Sequence, residues 1–281
     1  MKDFKNKVAV ITGAASGIGQ GLAERCAKEG MKVVISDVNE KRLRRLERKL
    51  NREGAQVLSV VADVSKASEV EDLAKKTLET FGEVHLLFNN AGIAIPKLAW
   101  EYDLKDWEQV LGVNLWGVLH GIHTFIPIML KQDNECHIVN TSSVEGLISN
   151  GLGGATYGVC KHALVHLTER LALELEVNGP NIKVSVLCPG FVKTNIFLSA
   201  LNRVSEDRRK EILSPEERSE ERAEEIKTFM EESPIILPDK VAEIVFQAIK
   251  EEKLYIFTHK DSFWKERIKE RFDAILQSLE D

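Results

Sequence analysis

The chain has 281 residues, with 38 basic against 44 acidic side chains and a formal net charge of −6. A chain of this length buries a large core without disulfides or metals, which excludes the small stapled scaffolds. The mildly acidic balance argues against a nucleic-acid partner, which calls for a basic patch or stripe.

The opening residues, MKDFKNKVAV, lack the long apolar core of a signal peptide. No unbroken run of 18 apolar residues occurs, so no membrane span is expected. Short β-branched runs at 7–11, 32–36, 57–61, 84–88, 137–141 and 184–187 alternate with segments of helical period, and 254–257 is a weaker late example. Their near-continuous apolarity marks strands buried on both faces, as in a parallel sheet covered by helices. Between them, 39–52 places Leu43, Leu46 and Leu50 on one helical face. Strict alternation predicts an α/β fold: a doubly wound parallel sheet in a single domain, 1–260. A helical extension over 261–281 follows, with Phe263, Ile268, Phe272, Ile275 and Leu276 on its apolar side. Cys26, Cys136, Cys160 and Cys188 show no CxxC spacing and read as buried thiols of a cytoplasmic protein. Residues 203–232 break the alternation with seven basic and eleven acidic side chains, so most of the net charge sits there. Ser214-Pro215-Glu216-Glu217 opens a predicted helix with a capping box. That helix reads as a solvated surface element, or as a lid within 190–235.

The first strand runs into Thr12-Gly13-Ala14-Ala15-Ser16-Gly17-Ile18-Gly19, and a helical pattern follows at once. Glycines between a strand and a helix let the main chain approach a pyrophosphate, which the unpaired N–H groups of the helix start then face. Asp37 stands eighteen residues after Gly19, at the end of the second strand. A carboxylate there accepts hydrogen bonds from both hydroxyls of an adenosine ribose and repels a 2′-phosphate. NAD is therefore favoured over NADP, although Lys41, Arg42, Arg44 and Arg45 lie close by in sequence.

Farther along come Asn89-Asn90-Ala91-Gly92, Asn114, Ser142-Ser143 and Tyr157-Gly-Val-Cys-Lys161. Tyr157 and Lys161 are one helical turn apart and project from the same face. A tyrosine with its ordinary pKa near ~10 is a poor base at neutral pH. A neighbouring ammonium favours the phenolate and brings it toward the range where acid–base catalysis works best.

These motifs, in this order, resemble the short-chain dehydrogenase/reductase family, in the branch with TGxxxGxG and YxxxK, over about residues 7–257. The resemblance implies a Rossmann-like fold with a helical substrate lid, and an enzyme interconverting a secondary alcohol and a ketone with NAD. It implies that Gly13, Ser16, Gly17, Ile18 and Gly19 cradle the pyrophosphate, and that Asp37 holds the ribose. Asp63 and Val64 would meet the adenine, and Asn90 and Gly92 would line the cofactor cleft. Pro189, Gly190, Val192 and Thr194 would position the nicotinamide. Ser143, rather than Ser142, would bond the substrate oxygen. Tyr157 would be the acid/base, Lys161 would hold the nicotinamide ribose and tune Tyr157, and Asn114 would anchor a water. Two departures stand out. Cys160 precedes the lysine where a small hydroxyl residue is usual, and Ser143 and Tyr157 are 14 apart, one more than commonest, with Gly151, Gly153 and Gly154 between them.

Three segments, 94–102, 147–156 and 191–201, are expected to face the substrate. Their apolar residues are Ile95, Leu98, Trp100, Leu147, Ile148, Leu152, Phe191, Ile196, Phe197 and Leu201. No arginine cluster accompanies them, which favours an alicyclic, terpenoid or steroid-like alcohol or ketone over a sugar phosphate. Glu145 reads either as a contact to a polar substrate group or as a solvent-facing carboxylate. His120/His123 and His162/His166 have chelating spacings but read as packing or interface histidines, so no metal is expected. By resemblance, their two long helices would pair between subunits of a homodimer or homotetramer. Two alternatives are an NADP-dependent carbonyl reductase of the same family and a catalytically silent dinucleotide-sensing regulator.

Overall fold

The computed structural model describes residues 1–132, 134–149, 154–194, 196 and 234–280. Its centre is a seven-stranded parallel sheet of order β3-β2-β1-β4-β5-β6-β7. The strands are β1 (Val8–Thr12), β2 (Lys32–Asp37), β3 (Val57–Val61), β4 (Leu86–Asn89), β5 (Cys136–Thr141), β6 (Ile182–Cys188) and β7 (Tyr255–Phe257). Helices α1 (Gly17–Lys28), α2 (Glu40–Arg52), α3 (Ala67–Phe81), α4 (Leu104–Leu111), α5 (Gly117–Gln132), α6 (Ala155–Asn178), α7 (Pro238–Lys250) and α8 (Ser262–Gln277) connect or follow them. The Rossmann-like single domain expected from the alternation is what forms.

Strand side chains divide by parity between two cores. Ala9 and Ile11, Val33 and Ile35, and Leu86 and Phe88 join one face with Leu22 of α1 and Phe246 of α7. Val8 and Val10, Val34, and Leu87 join the other with Leu73 of α3 and Phe125 of α5. Each fully buried side chain of this size is worth about 1.5–3 kcal/mol, so continuous apolarity along the strands is what holds both helical layers to the sheet.

From β1 the chain winds outward to β3, then crosses back to place β4 against the other side of β1. The order reverses between β1 and β4, and a crevice opens beyond their carboxyl ends. Thr12 and Asn90 meet there. Thr12 Oγ1 donates to Phe88 O at 3.2 Å and accepts from the main-chain N–H groups of Asn90 (3.0 Å) and Ala91 (3.2 Å). Asn90 Nδ2 returns a bond to Thr12 O at 2.9 Å.

Between α4 and α5 the helix widens into a π-turn, Gly112–Trp116, centred on Asn114. The periodicity of the sequence reads straight through it. The whole run, Leu104–Gln132, is long and apolar enough to cross a membrane by length and composition, a property that a search for unbroken apolar runs misses. Here Val113, Phe125 and Met129 of that run are buried behind the sheet, so its apolar face serves the fold. The predicted lid helix, its Ser214 capping box, Gly151 and Gly153 lie outside the described residues. The C-terminal helix is present as α8, anchored by the buried Trp264.

Candidate active site

The glycine loop folds so tightly that side chains would not fit. Gly13 and Gly17 have φ of +65° and +54°, and a Cβ on Gly19 would stand 2.2 Å from Gly13 O. Ser16 is the N-cap of α1, yet its side chain makes no capping hydrogen bond. The start of α1 is thus left to face an anion in the crevice, as a dinucleotide pyrophosphate requires. Ile18, partly buried, packs into the first core behind the loop.

Asp37, at the end of β2, accepts from the Ala15 N–H at 3.1 Å through Oδ2 and from the Asn39 N–H at 2.9 Å through Oδ1. The carboxylate is therefore pinned to the glycine loop. Asp63 Oδ1 takes both the Ser65 N–H (3.0 Å) and the Ser65 hydroxyl (2.7 Å). Val64 is buried against Gly117, where a Cβ would approach Val64 Cγ2 to 2.7 Å. His120 Nδ1 meets the Val64 carbonyl at 2.8 Å, and His162 Nδ1 meets Gly146 O at the same distance. Those two histidines thus tie loops to their helices.

The second half of the site gathers at the ends of β4 and β5 and the start of α6. Ser142 is buried and donates to Lys161 O at 2.7 Å, so its hydroxyl is spent on the fold. Ser143 caps a 3₁₀ turn, Val144–Gly146, accepts from the Glu145 N–H at 3.2 Å and donates to Pro189 O at 3.4 Å. It is also hydrogen-bonded to Tyr157. Of the serine pair, then, Ser143 stands beside the tyrosine.

Lys161 is 2% exposed, and its Nζ donates to Thr141 O at 2.6 Å. That Nζ lies 5.3 Å from the centroid of the Tyr157 ring. Burial pulls the Lys161 ammonium down to about 8. Burial also pushes the Tyr157 phenol up, and the Glu145 charge adds to that, while the bond with Ser143 works the other way. Desolvation of the phenol is the largest of these causes, and the ammonium is directed at the Thr141 carbonyl. Asn114 is fully buried. It accepts from the Ile93 N–H at 2.8 Å and donates to Ile93 O at 2.9 Å. Its side chain is committed to holding the loop after β4, and the π-turn around it interrupts the regular helical ladder. A Cβ on Gly92 would sit 3.5 Å from Asn114 Oδ1 and 3.7 Å from Lys161 Nζ, so these residues converge.

Beyond β6, Pro189 O accepts from the Val144 N–H at 3.0 Å, which ties this loop to the serine turn. Thr194 crosses to the glycine loop, its Cγ2 3.0 Å from where a Gly17 Cβ would be. Val192 pairs in parallel with Ile236. Of the ten apolar residues expected to face the substrate, four pack in hydrophobic clusters. Ile95 belongs to the second core. Leu147 packs with Val165, Val186 and Cys188. Ile148 and Phe191 cluster with Trp264 of α8, and Trp100 is 81% exposed. The C-terminal helix recruits side chains that an apolar composition alone assigns to a pocket. Leu152, Phe197 and Leu201 lie outside the described residues. Thr258 and His259 also contact the loop after β6, and they belong to no short motif that marks them in the sequence.

Residues 7–203 match the short chain dehydrogenase family. A CLA biosynthesis dehydrogenase/reductase of Lactiplantibacillus plantarum is 37% identical over 263 residues, covering 92% of this chain and 90% of that protein. A 1-deoxy-11-beta-hydroxypentalenate dehydrogenase of Streptomyces exfoliatus is 30% identical over 276 residues, covering 97% and 89%. A crystal structure of a short-chain dehydrogenase/reductase from Burkholderia phymatum, in complex with NAD, superposes with a TM-score of 0.87 at 40% identity, covering 99% and 97%. The chain belongs to the short-chain dehydrogenase/reductase family. It is an oxidoreductase of the class acting on CH–OH groups, using a nicotinamide dinucleotide.

Proposed function

We propose that this enzyme interconverts a secondary alcohol and a ketone with NAD, and that Tyr157 is its acid/base. The observation that carries the reading is the grouping of Ser143 and Lys161 around Tyr157. In oxidation Tyr157 takes the hydroxyl proton while Ser143 holds the substrate oxygen. In reduction Tyr157 returns the proton to the developing alkoxide, which the Ser143 hydroxyl also stabilises. Lys161 holds the nicotinamide ribose and supplies a buried positive charge beside the phenol. Asn114, whose side chain is taken by Ile93, holds through its main chain at the π-turn the water through which the proton reaches solvent.

Gly13, Ser16, Gly17, Ile18 and Gly19 hold the pyrophosphate, and Asp37 the adenosine ribose. Asp63 and Val64 hold the adenine, and Asn90, Gly92, Pro189, Gly190, Val192 and Thr194 the nicotinamide end. The bound nicotinamide supplies the acceptor or donor of the hydride and, when oxidised, a positive charge. The pinned negative charge of Asp37 supports NAD over NADP, because a 2′-phosphate would meet it. A lipophilic substrate is supported by the sequences of 94–102, 147–156 and 191–201, which contain no arginine. The Streptomyces relative, whose name carries a hydroxypentalenate, supports it too. The nucleotide-binding unit is 1–260; most of the segment 190–235 expected as a lid lies outside the described residues. A cytoplasmic homo-oligomer is supported by four free, buried cysteines and by exposed Trp116, Val159, Leu173 and Val177 on the long helices.

The test is absorbance at 340 nm over a panel of alcohols and ketones, with NAD and NADP separately. Cyclic secondary alcohols are expected to be oxidised with NAD, and polar sugars turned over faster would overturn the substrate class. Tyr157→Phe is expected to cost about 10²–10⁴ in kcat while NAD binding is retained. Substantial activity in that variant would remove Tyr157 from its role.

A further inference from the structure

The loop that follows β6 is held from behind by two residues beyond the last strand. Thr258 Oγ1 accepts from the Gly190 N–H at 3.1 Å and lies 2.8 Å from His259 Nδ1. His259 Nε2 lies 2.7 Å from Pro234 O. A carbonyl only accepts, so Nε2 carries the proton and donates to it. In the neutral ring Nδ1 then accepts from the Thr258 hydroxyl, whose lone pair takes the Gly190 N–H. The bonds form one directed chain from Gly190 through Thr258 and His259 to Pro234. Both side chains are buried, and the imidazole is packed so closely on the loop that a Cβ on Gly190 would come within 2.7 Å of Nδ1. Trp264 of α8 backs the imidazole edge-on at 6.5 Å and packs on Phe191 at 5.4 Å.

The front of the same loop faces the catalytic groups. Pro189 O accepts from the Val144 N–H and the Ser143 hydroxyl. Farther on, Lys193 N–H donates to Ile236 O at 2.9 Å and Ile236 N–H donates to Phe191 O at 3.0 Å. Residues 191–193 and 234–236 are thus joined, and His259 is bonded at the start of the second of these segments while packed on Gly190, just before the first.

We propose that His259, with Thr258, is a positioning residue that clamps the Pro189–Gly190 loop and so sets the nicotinamide end of the cofactor against Ser143 and Tyr157. The clamp rests on the reading that residues 189–194 hold the nicotinamide. It acts on one end of the cofactor only. Asp37 and the glycine loop, which take the adenosine end and the pyrophosphate, lie on other elements, at the ends of β2 and β1.

The experiment compares NADH with ADP-ribose, which lacks the nicotinamide, by calorimetric titration of the full chain. The variants are His259→Ala, His259→Gln, Thr258→Val and Thr194→Ala. In His259→Ala the NADH affinity is expected to fall about fivefold, in line with a lost buried hydrogen bond, and the KM for NAD to rise with it. ADP-ribose affinity is expected to stay at the wild-type value. His259→Gln, which keeps a donor toward Pro234 O, is expected to recover most of the loss, and Thr258→Val to reproduce part of it. Equal losses for NADH and ADP-ribose, or no recovery by glutamine, would reduce His259 to a general packing role and overturn the clamp. So would a His259→Ala protein that discriminates the two ligands as the wild type does. If His259→Ala does not fold, the glutamine and valine variants carry the same comparison. Failure of the underlying reading looks different: the wild type would then bind NADH no better than ADP-ribose, and Thr194→Ala would change neither.

Discussion

Lys161 gives its ammonium to the Thr141 carbonyl at 2.6 Å and presents the same group to the Tyr157 ring at 5.3 Å from its centroid. One buried cation therefore joins the end of β5 to the first turn of α6. The arrangement has a thermodynamic signature. Burial holds the Lys161 pKa at about 8 in the fold against 10.5 in an unfolded chain. Between those values the unfolded chain keeps a proton that the fold has released, so folding stability rises with pH through this window. Below pH 8 that gain is lost. Lys161→Met removes the titration, so the melting temperature of the wild type relative to this variant is expected to increase from pH 8 to pH 10. A flat difference measured by differential scanning calorimetry would contradict the burial of a titrating Lys161.

Glu145 acts on the same phenol through its charge, which disfavours the phenolate and so raises the Tyr157 pKa. Glu145→Gln removes that charge and is expected to move the pH profile of kcat for alcohol oxidation to lower pH. The reduction direction, which needs the protonated phenol, is expected to lose activity earlier as pH rises. A profile measured from pH 6 to pH 10 that does not move would separate Glu145 from Tyr157.

Most of the fold is legible in the sequence because strands buried on both faces leave unmistakable apolar runs, and the bounds at 32–37 and 57–61 differ from the runs by a residue at most. The glycine loop is equally legible, since a main chain this close to its neighbours admits no other residue at Gly19. Other features leave no such mark. The π-turn at Asn114 inserts its extra residue without breaking the apolar stripe, so only the coordinates reveal it. Ile95, Leu147, Ile148 and Phe191 have the composition of a pocket lining, yet three clusters absorb them, because residue type alone does not say which apolar surface a side chain will meet. Thr258 and His259 reach Gly190 only because β7 pairs with β6 and carries them to its end, a contact 68 residues long in sequence for Thr258.

Asp37 sets the choice between dinucleotides through its charge. Asp37→Asn keeps an oxygen for the Ala15 N–H and removes the charge a 2′-phosphate would meet. The ratio of kcat/KM for NADP over NAD is expected to rise about tenfold, equivalent to about 1.4 kcal/mol. Parallel assays with both cofactors give the ratio directly. An unchanged ratio would show that the carboxylate does not govern the preference.

Gly121, on α5, tests the packing that holds the end of β4 in place. A Cβ there would stand 2.2 Å from Asn89 Oδ1. Asn89 cannot retreat, because its Nδ2 donates to Asn140 Oδ1 at 2.9 Å, and Asn140 in turn donates to Thr168 Oγ1 at 3.1 Å. All three side chains are buried between the sheet and the helices. Gly121→Ala must therefore displace α5 or break this chain of hydrogen bonds, at a cost of about 1–3 kcal/mol. Urea denaturation is expected to show a lower midpoint with an unchanged slope. Asn89 directly precedes Asn90, which locks β4 to the glycine loop, so the same variant is expected to weaken NADH binding as well. Loss of stability with wild-type NADH affinity would show that the strand end holds its position without the Asn89–Asn140 contact.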